Sequence, residues 1–285
     1  MRSDEPIEIL SVPPEDLVRK AVVPLTIVTD DAALSRRFAR EITGEIRKNS
    51  RLRRPTNLIV PVGPRGGYRE FVRSLHQRPL DLSRTTFFFM DEYVGDDGRL
   101  VGEEHPLSFR GFVKKSLVGP LTGRFGFDPV RARFPDPDYP GEYTKEMAAA
   151  GGIDLAMCGV GINGHVAFNE PEPGMTAEEF SRLSTRVVTL TAQTRTVNAL
   201  MEAGGAVDLV PQGGVTVGMA EILAAGRIVV FMNRPWQRAG IRRFLLGEAS
   251  AAFPVSLLLG HGRLRMVVTR EVSLPPLAGE VKKRT

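Results

Sequence analysis

The sequence predicts an α/β protein: a mostly parallel sheet with helices on both faces. Three observations lead there. Short runs rich in β-branched and aromatic residues recur along the chain, each almost continuously apolar, as strands buried on both faces are. Stretches with apolar residues at helical spacing separate them. Gly- and Pro-containing turns follow the runs.

The elements can be justified in chain order. Residues 1–23 read as an extension with little regular structure. Residues 24–29 (Pro-Leu-Thr-Ile-Val-Thr) read as a buried strand, with Asp30 and Asp31 as helix caps. Leu34, Phe38, Ile42 and Ile46 then recur every four residues and give one apolar helical stripe. Basic residues from Arg47 to Arg54 read as the polar end of that helix and its loop. A strand over 57–62, a Gly-Pro-Arg-Gly-Gly turn and a helix over 67–76 carrying Phe71, Val72 and Leu75 repeat the unit. Strands are expected over 85–90, 153–158 and 227–232, and helices over 109–117 and 235–246. Two late strands are expected over 255–259 and 263–269. The pattern is that of a Rossmann-like sheet in a single domain over residues 24–275, with a tail over 276–285. Ligands of such sheets bind outside the carboxyl ends of the strands. Chemistry is therefore expected just after Val62, Met90 and Cys158.

Composition narrows the function classes. Of 285 residues, 42% are hydrophobic and 25% charged, the usual balance of a soluble globular protein. The single cysteine excludes a disulfide within one chain and disfavours a Cys-rich zinc site. A net charge of +5 suits small anionic substrates, weak nucleic-acid contact or simply a solvated surface, and does not by itself indicate DNA binding. No apolar run reaches the ~18 residues that span a bilayer. Acids and a proline stand near the N-terminus where a signal peptide needs an apolar stretch. A cytoplasmic protein is expected, with a small-molecule substrate, no nucleic-acid or membrane partner, and a homo-oligomer left open.

The three strand ends carry the chemistry. Gly63-Pro64-Arg65-Gly66-Gly67 lets backbone N–H groups approach an anion, with Arg65 as a fork for phosphate or carboxylate; it equally suits a plain tight turn. It lacks the Gly-Lys-Ser/Thr ending of a Walker A loop. Asp91 and Glu92 follow Phe87-Phe88-Phe89-Met90, and alternation along a strand sends them to opposite sides. One can enter the cleft as a general base of raised pKa while the other makes a structural hydrogen bond. After Cys158, residues 159–164 match G-x-G-x-x-G literally, but Pro171 and Pro173 stop any helix within two turns. The segment reads instead as a glycine-rich loop holding Gly161, Asn163, Gly164, His165 and Glu170 beside a ligand, with His165 suited to proton transfer.

Two long motifs resemble the glucosamine-6-phosphate deaminase (isomerase) family, a relative of 6-phosphogluconolactonase. One is Phe89 to Gly95 with Glu104-His105-Pro106 and Ser108; the other is Gly159 to Pro171. Weaker similarity runs from Thr189 through Arg195 to Met219, and the whole covers roughly residues 24–270. The lactonase branch lacks the Phe-Asn-Glu-Pro ending, so the deaminase branch fits better. The resemblance implies a metal-free, cofactor-free conversion of an aldose amino sugar phosphate into a ketose phosphate and ammonia. Asp91 matches the base that moves a proton from C2 to C1, His165 the ring-opening group, Glu170 the carboxylate completing its relay, and Asn163 a residue orienting it.

This chain departs from the family at the anion end. The family loop resembles Pro-Thr-Gly-Gly-Thr-Pro, whereas Pro61 to Gly67 here carries no hydroxyl. A family arginine falls at Leu200, and a family lysine near Gln237–Arg238, where none stands. Arg65 or Arg238 is expected to compensate; otherwise the substrate lacks the usual 6-phosphate. Further alternatives are a lactonase-like hydrolase and a catalytically silent sugar-binding homologue. A sugar-responsive DNA-binding regulator is disfavoured, because about 23 residues before the first strand leave too little chain for a helix-turn-helix.

Overall fold

The computed structural model describes residues 7–276. Seven strands form one sheet in which every neighbouring pair is parallel. They are β1 (Leu25–Val28), β2 (Thr56–Val60), β3 (Thr85–Phe89), β5 (Ala132–Arg133), β6 (Leu155–Cys158), β9 (Ile228–Met232) and β10 (Leu264–Thr269). A second, antiparallel sheet holds β4 (Asp91–Val94), β7 (Arg186–Thr189) and β8 (Gly213–Thr216).

The central strands are apolar on both faces because both are covered. Leu58 and Val60 of β2, Leu155 and Met157 of β6, and Val229 and Phe231 of β9 pack on one side, against Leu34, Phe38, Tyr68 and Phe71. Those four residues belong to the helices Asp31–Arg51 and Gly66–Gln77. Ile59, Ala156, Cys158, Val230 and Met232 face the other side, against Leu17, Tyr143, Phe244 and Leu245. The expected helical stripe of Leu34, Phe38, Ile42 and Ile46 is fully buried, and the Asp30 side chain accepts from Ala33 N–H as the cap.

The main sheet runs β1-β10-β9-β6-β2-β3-β5. From β2 the chain moves toward β3; β6 and the later β9 and β10 add on the opposite side. Order therefore reverses between β2 and β6, and the loops leaving these neighbours part to open a crevice. Directly after β3 the chain crosses Met90 into β4, so one continuous extended segment joins the two sheets.

Three sequence expectations differ from the structure. Residues 255–259 are not a strand; Pro254–Gly260 is a 3-10 helix. A short buried apolar run does not distinguish strand from helix by periodicity, and here Pro254 starts the helix while the Ser256 hydroxyl donates to Phe253 O. Within residues 1–23, the described part forms helices at Ile7–Leu10 and Pro14–Lys20, the second burying Leu17. The helix expected over 109–117 is interrupted: Phe109–Val113 is α-helical, Lys114–Val118 widens to a π-turn, and Gly119–Leu121 closes it.

Arg242 fastens the segments that carry Val12 and Ser273 to this core. It is fully buried and donates to the carbonyls of Val12, Arg238, Ser273 and Leu274. Burial, helped by the neighbouring Arg238 charge, lowers its pKa to about 10, so it stays charged at neutral pH. Each buried carbonyl left without a donor costs about 1–3 kcal/mol. Arg242→Ala should therefore lower unfolding free energy by at least about 3 kcal/mol in a urea titration. Arg242→Met, which keeps much of the volume, should recover only a minor part of the loss.

Candidate active site

A cavity of about 230 Å³ opens at the β2/β6 switch point. It is lined by Pro61 to Arg65 after β2, Met90 and Asp91 after β3, Gly159 to Gly161 and His165 after β6, and Asn233, Arg234 and Trp236 after β9. All three strand ends singled out in the sequence thus meet in one place.

Asp91 and Glu92 divide as strand alternation requires. Glu92 is completely buried and faces away from the cavity. Its carboxylate accepts from the backbone N–H of Tyr93, Phe109 and Arg110 and from the Ser108 hydroxyl, at the start of the helix Phe109–Val113. Glu92, named with Asp91 among the candidate catalytic residues of this strand end, is thereby the structural member of the pair: its oxygens are bound at a helix N-terminus. Asp91 is 7% exposed and faces the cavity. Burial, with the charge of Glu92 beside it, pushes its pKa up to about 8.

The loop after β6 wraps around His165 and opens no helix. Gly161 N–H donates to His165 O, and the imidazole lies so close over Gly161 that a Cβ there would sit 2.1 Å from the ring. Gly161 is thereby required at this position. Gly164 has φ of +85°, and a Cβ would sit 2.3 Å from the Phe253 ring. It shapes the turn and does not line the cavity, which corrects its selection as a substrate contact. The same correction applies to Gly66 and Gly67. Their missing side chains let the helix Gly66–Gln77 seat on Ser35 and Phe38, 2.5 and 2.4 Å from where Cβ atoms would stand. Gly63 does line the cavity.

Behind His165 lies a polar cluster. His165 Nδ1 is 3.1 Å from the Thr194 hydroxyl and 3.6 Å from Glu170 Oε2. Asn163 Nδ2 donates to Glu170 at 2.6 Å, and Asn163 Oδ1 accepts from His165 N–H. Thr191 donates to Glu170 through both its backbone N–H and its hydroxyl. Burial acts to raise the Glu170 pKa, but the hydrogen bonding and charge of His165, with the Thr194 and Asn163 donors, outweigh it and hold the carboxyl at about 2. Glu170 and Asn163 thus stand behind the histidine, outside the cavity lining.

At the far end, Arg65 lines the cavity and pairs with Glu202 at 2.9 Å, its guanidinium 5.0 Å from the centre of the Phe112 ring. Arg238 does not reach the cavity: it donates to the carboxylate and carbonyl of Glu271. Arg234, four residues closer to β9, lies in the lining instead, and the sequence reading missed it. Gln237 ties Asn233 and Arg234 N–H to Val160 O, holding the loops after β9 and β6 together. Leu200 is 66% exposed on the outer side of the helix Ala192–Glu202. Thr194, Asn198, Glu202 and Trp236 were also missed. Of these only Thr194 had a signal, in the Thr-x-x-Thr start of that helix, where the Thr191 hydroxyl caps Thr194 N–H.

Among the described residues, no group of three or more His, Cys, Asp or Glu side chains could hold a metal ion. No helix there is long and apolar enough to cross a membrane.

A buried carboxylate and a carboxylate-backed histidine at the switch point of a doubly wound sheet are the parts of an acid–base site in an α/β enzyme fold. The chain is 32% identical over 256 residues to a glucosamine-6-phosphate deaminase of Rhodopirellula baltica, covering 87% of this chain and 93% of the relative. It is 31% identical over 217 residues to that of Beutenbergia cavernae, covering 74% and 77%. A solved monomeric glucosamine-6-phosphate deaminase superposes with a TM-score of 0.76 at 26% identity, over 88% of this chain and 98% of that one. A 6-phosphogluconolactonase from Shewanella baltica shares the fold at a TM-score of 0.63 and 16% identity, over 87% and 97%. No family model matches the chain. The chain belongs to the glucosamine-6-phosphate deaminase family.

The opposite pKa shifts have opposite consequences for stability. Asp91, raised in the fold, favours folding most below its unfolded pKa of about 3.8, and that contribution fades as pH rises through about 8. Asp91→Asn should therefore raise the melting temperature relative to wild type at pH 9 more than at pH 6. Glu170, lowered in the fold, contributes above about 4.5 and loses its contribution as pH falls toward about 2. Glu170→Gln should flatten that acid limb of the stability curve.

Proposed function

We propose that the chain catalyses aldose–ketose isomerisation with deamination of an amino sugar phosphate of the glucosamine-6-phosphate type, giving a ketose phosphate and ammonia. One observation carries this reading: a buried carboxylate of raised pKa and a histidine backed by a low-pKa carboxylate line the same cavity.

The ring must open first, because C2–H becomes acidic only when C1 is a carbonyl. His165 delivers a proton to the ring oxygen as the C1 hydroxyl gives one up. Glu170 Oε2 stands 3.6 Å behind its Nδ1, and Asn163 holds both groups in register. Asp91 then removes the C2 proton and returns it to C1, while the amino nitrogen gives up one proton and O1 takes one up. The product is an imine at C2 with a CH2OH at C1. Water adds to that imine and ammonia leaves, so the overall change is amino aldose plus water to ketose plus ammonia. A pKa near 8 makes Asp91 a stronger base than a solvated carboxylate, and the substrate's amino group brings positive charge that favours its ionised form.

The test is ammonia and ketose release from glucosamine-6-phosphate. Asp91→Asn should bind the sugar and turn over about 10²–10⁴-fold more slowly. In the wild type, kcat/KM should rise with pH along a limb with its midpoint near 8, since the base must be ionised. His165→Gln should impair the cyclic sugar far more than an open-chain analogue. Near-normal turnover by Asp91→Asn, or equal losses on both substrates in His165→Gln, would contradict the assigned roles.

A further inference from the structure

The reaction uses Asp91 and His165 but leaves a second charge arrangement in the same cavity unexplained. Arg65 and Glu202 both line it, paired at 2.9 Å. Glu202 is the last residue of the helix Ala192–Glu202, where the helix dipole disfavours a carboxylate. Its local structure therefore does not hold the charge in place; Arg65 does. The pair is partly exposed, with side chains 41% and 28% accessible, so it is weak enough to open. Past Ala203, Gly204 and Gly205, both at positive φ, end the helix and turn the chain away. Other donors face the same space. Arg234 lines it, and the indole Nε1 of Trp236, also in the lining, is buried without a hydrogen-bond partner.

Resting on the reaction proposed above, we infer that Glu202 is a specificity-determining residue: a resident anion on Arg65 that the phosphate of an incoming amino sugar must displace. A guanidinium fork takes a carboxylate or a phosphate bidentately by the same donors, so the two anions compete for one seat. Held together beside that seat they repel, and one must leave. A sugar without phosphate meets no such competitor. Glu202 therefore lowers affinity for the dianionic ligand selectively and narrows the preference for phosphorylated over free amino sugar. Release of Glu202 leaves Arg65, Arg234 and the Trp236 N–H to receive the phosphate oxygens.

Trp236 is the only tryptophan in the chain and lies in this cavity, so its fluorescence reports binding directly. Wild type, Glu202→Gln and the double variant Glu202→Gln/Arg65→Ala would be titrated with inorganic phosphate, glucosamine-6-phosphate and glucosamine. Glu202→Gln should bind both phosphate-bearing ligands about tenfold more tightly, the scale of one charge-assisted hydrogen bond set free. Its affinity for glucosamine should stay within about twofold, and the double variant should lose the gain. Unchanged or weaker phosphate binding in Glu202→Gln overturns the inference, because Glu202 would then only orient Arg65. Equal tightening toward free glucosamine, or no phosphate binding by wild type or Glu202→Gln, overturns it as well. Tighter phosphate binding without ammonia release by the wild type would uphold the role of Glu202 while removing the reaction proposed above.

Discussion

The site depends on one local constraint: two adjacent carboxylates on an extended strand cannot face the same way. Glu92 is the anchored member. Bound by three backbone N–H groups and the Ser108 hydroxyl, it fixes the junction between β4 and the helix Phe109–Val113. With Glu92 anchored, Asp91 has no choice of face and is presented to the cavity. The same proximity supplies part of its raised pKa, since the Glu92 charge opposes ionisation of Asp91. Structural hydrogen bonding on one side of the strand and reactivity on the other therefore have a single origin. Met90 O accepts from Val217 N–H at 2.7 Å and binds this junction to the second sheet, so the strand cannot rotate to exchange the two residues.

Topology then brings the remaining parts together. The crevice between β2 and β6 exists because their chains depart in opposite directions, and its walls are the loops that follow them. The loop after β6 is folded on itself by glycine. Gly161 gives way to the His165 ring and Gly164 to Phe253, so the imidazole is positioned by close packing as well as by hydrogen bonds. The glycines after β2 act at one remove: by seating their helix on Ser35 and Phe38 they set the height at which Arg65 emerges.

What the sequence made legible and what it did not follow from the range of the interactions. Strands β2, β3, β6, β9 and β10 were readable because burial on both faces demands apolar runs, and the strand ends carrying Asp91 and His165 could be located from them; β1 was read as buried too, but it is the sheet's edge and only half-buried. The short strands of the second sheet were not read. Val187 and Val188 of β7 have one face exposed, and Gly213 and Gly214 of β8 are small because Val94 and Phe168 press on them, a reason visible only across the fold. Glu92 and Asp91 were recognised as a divided pair, but local sequence does not say which faces inward; that depends on a helix start sixteen or more residues away. Arg238 was singled out by its place near a family position, without Arg234 being considered, whereas Glu271, distant in sequence, draws Arg238 out of the cavity.

The helix Ala192–Glu202 unites the two ends of the site, and its polarity explains why they differ chemically. Its 11 residues span about 16 Å. At its start, Thr191 donates to Glu170 from both backbone and side chain, and the partial positive charge of a helix N-terminus favours the anion there. Glu170, its pKa held at about 2 against burial, chiefly by the hydrogen bonding and charge of His165 with the Thr194 and Asn163 donors, stays a carboxylate at neutral pH. At its other end Glu202 meets the negative pole of the same dipole and is retained by one half-exposed arginine. A carboxylate stabilised by its helix serves as a fixed part of the proton-transfer apparatus. A carboxylate disfavoured by its helix is suited to yield its partner to a competing anion. Both follow from the direction in which one helix runs past the cavity: its N-terminal cap Thr191 donates to Glu170 of the neighbouring loop, and its last residue is Glu202.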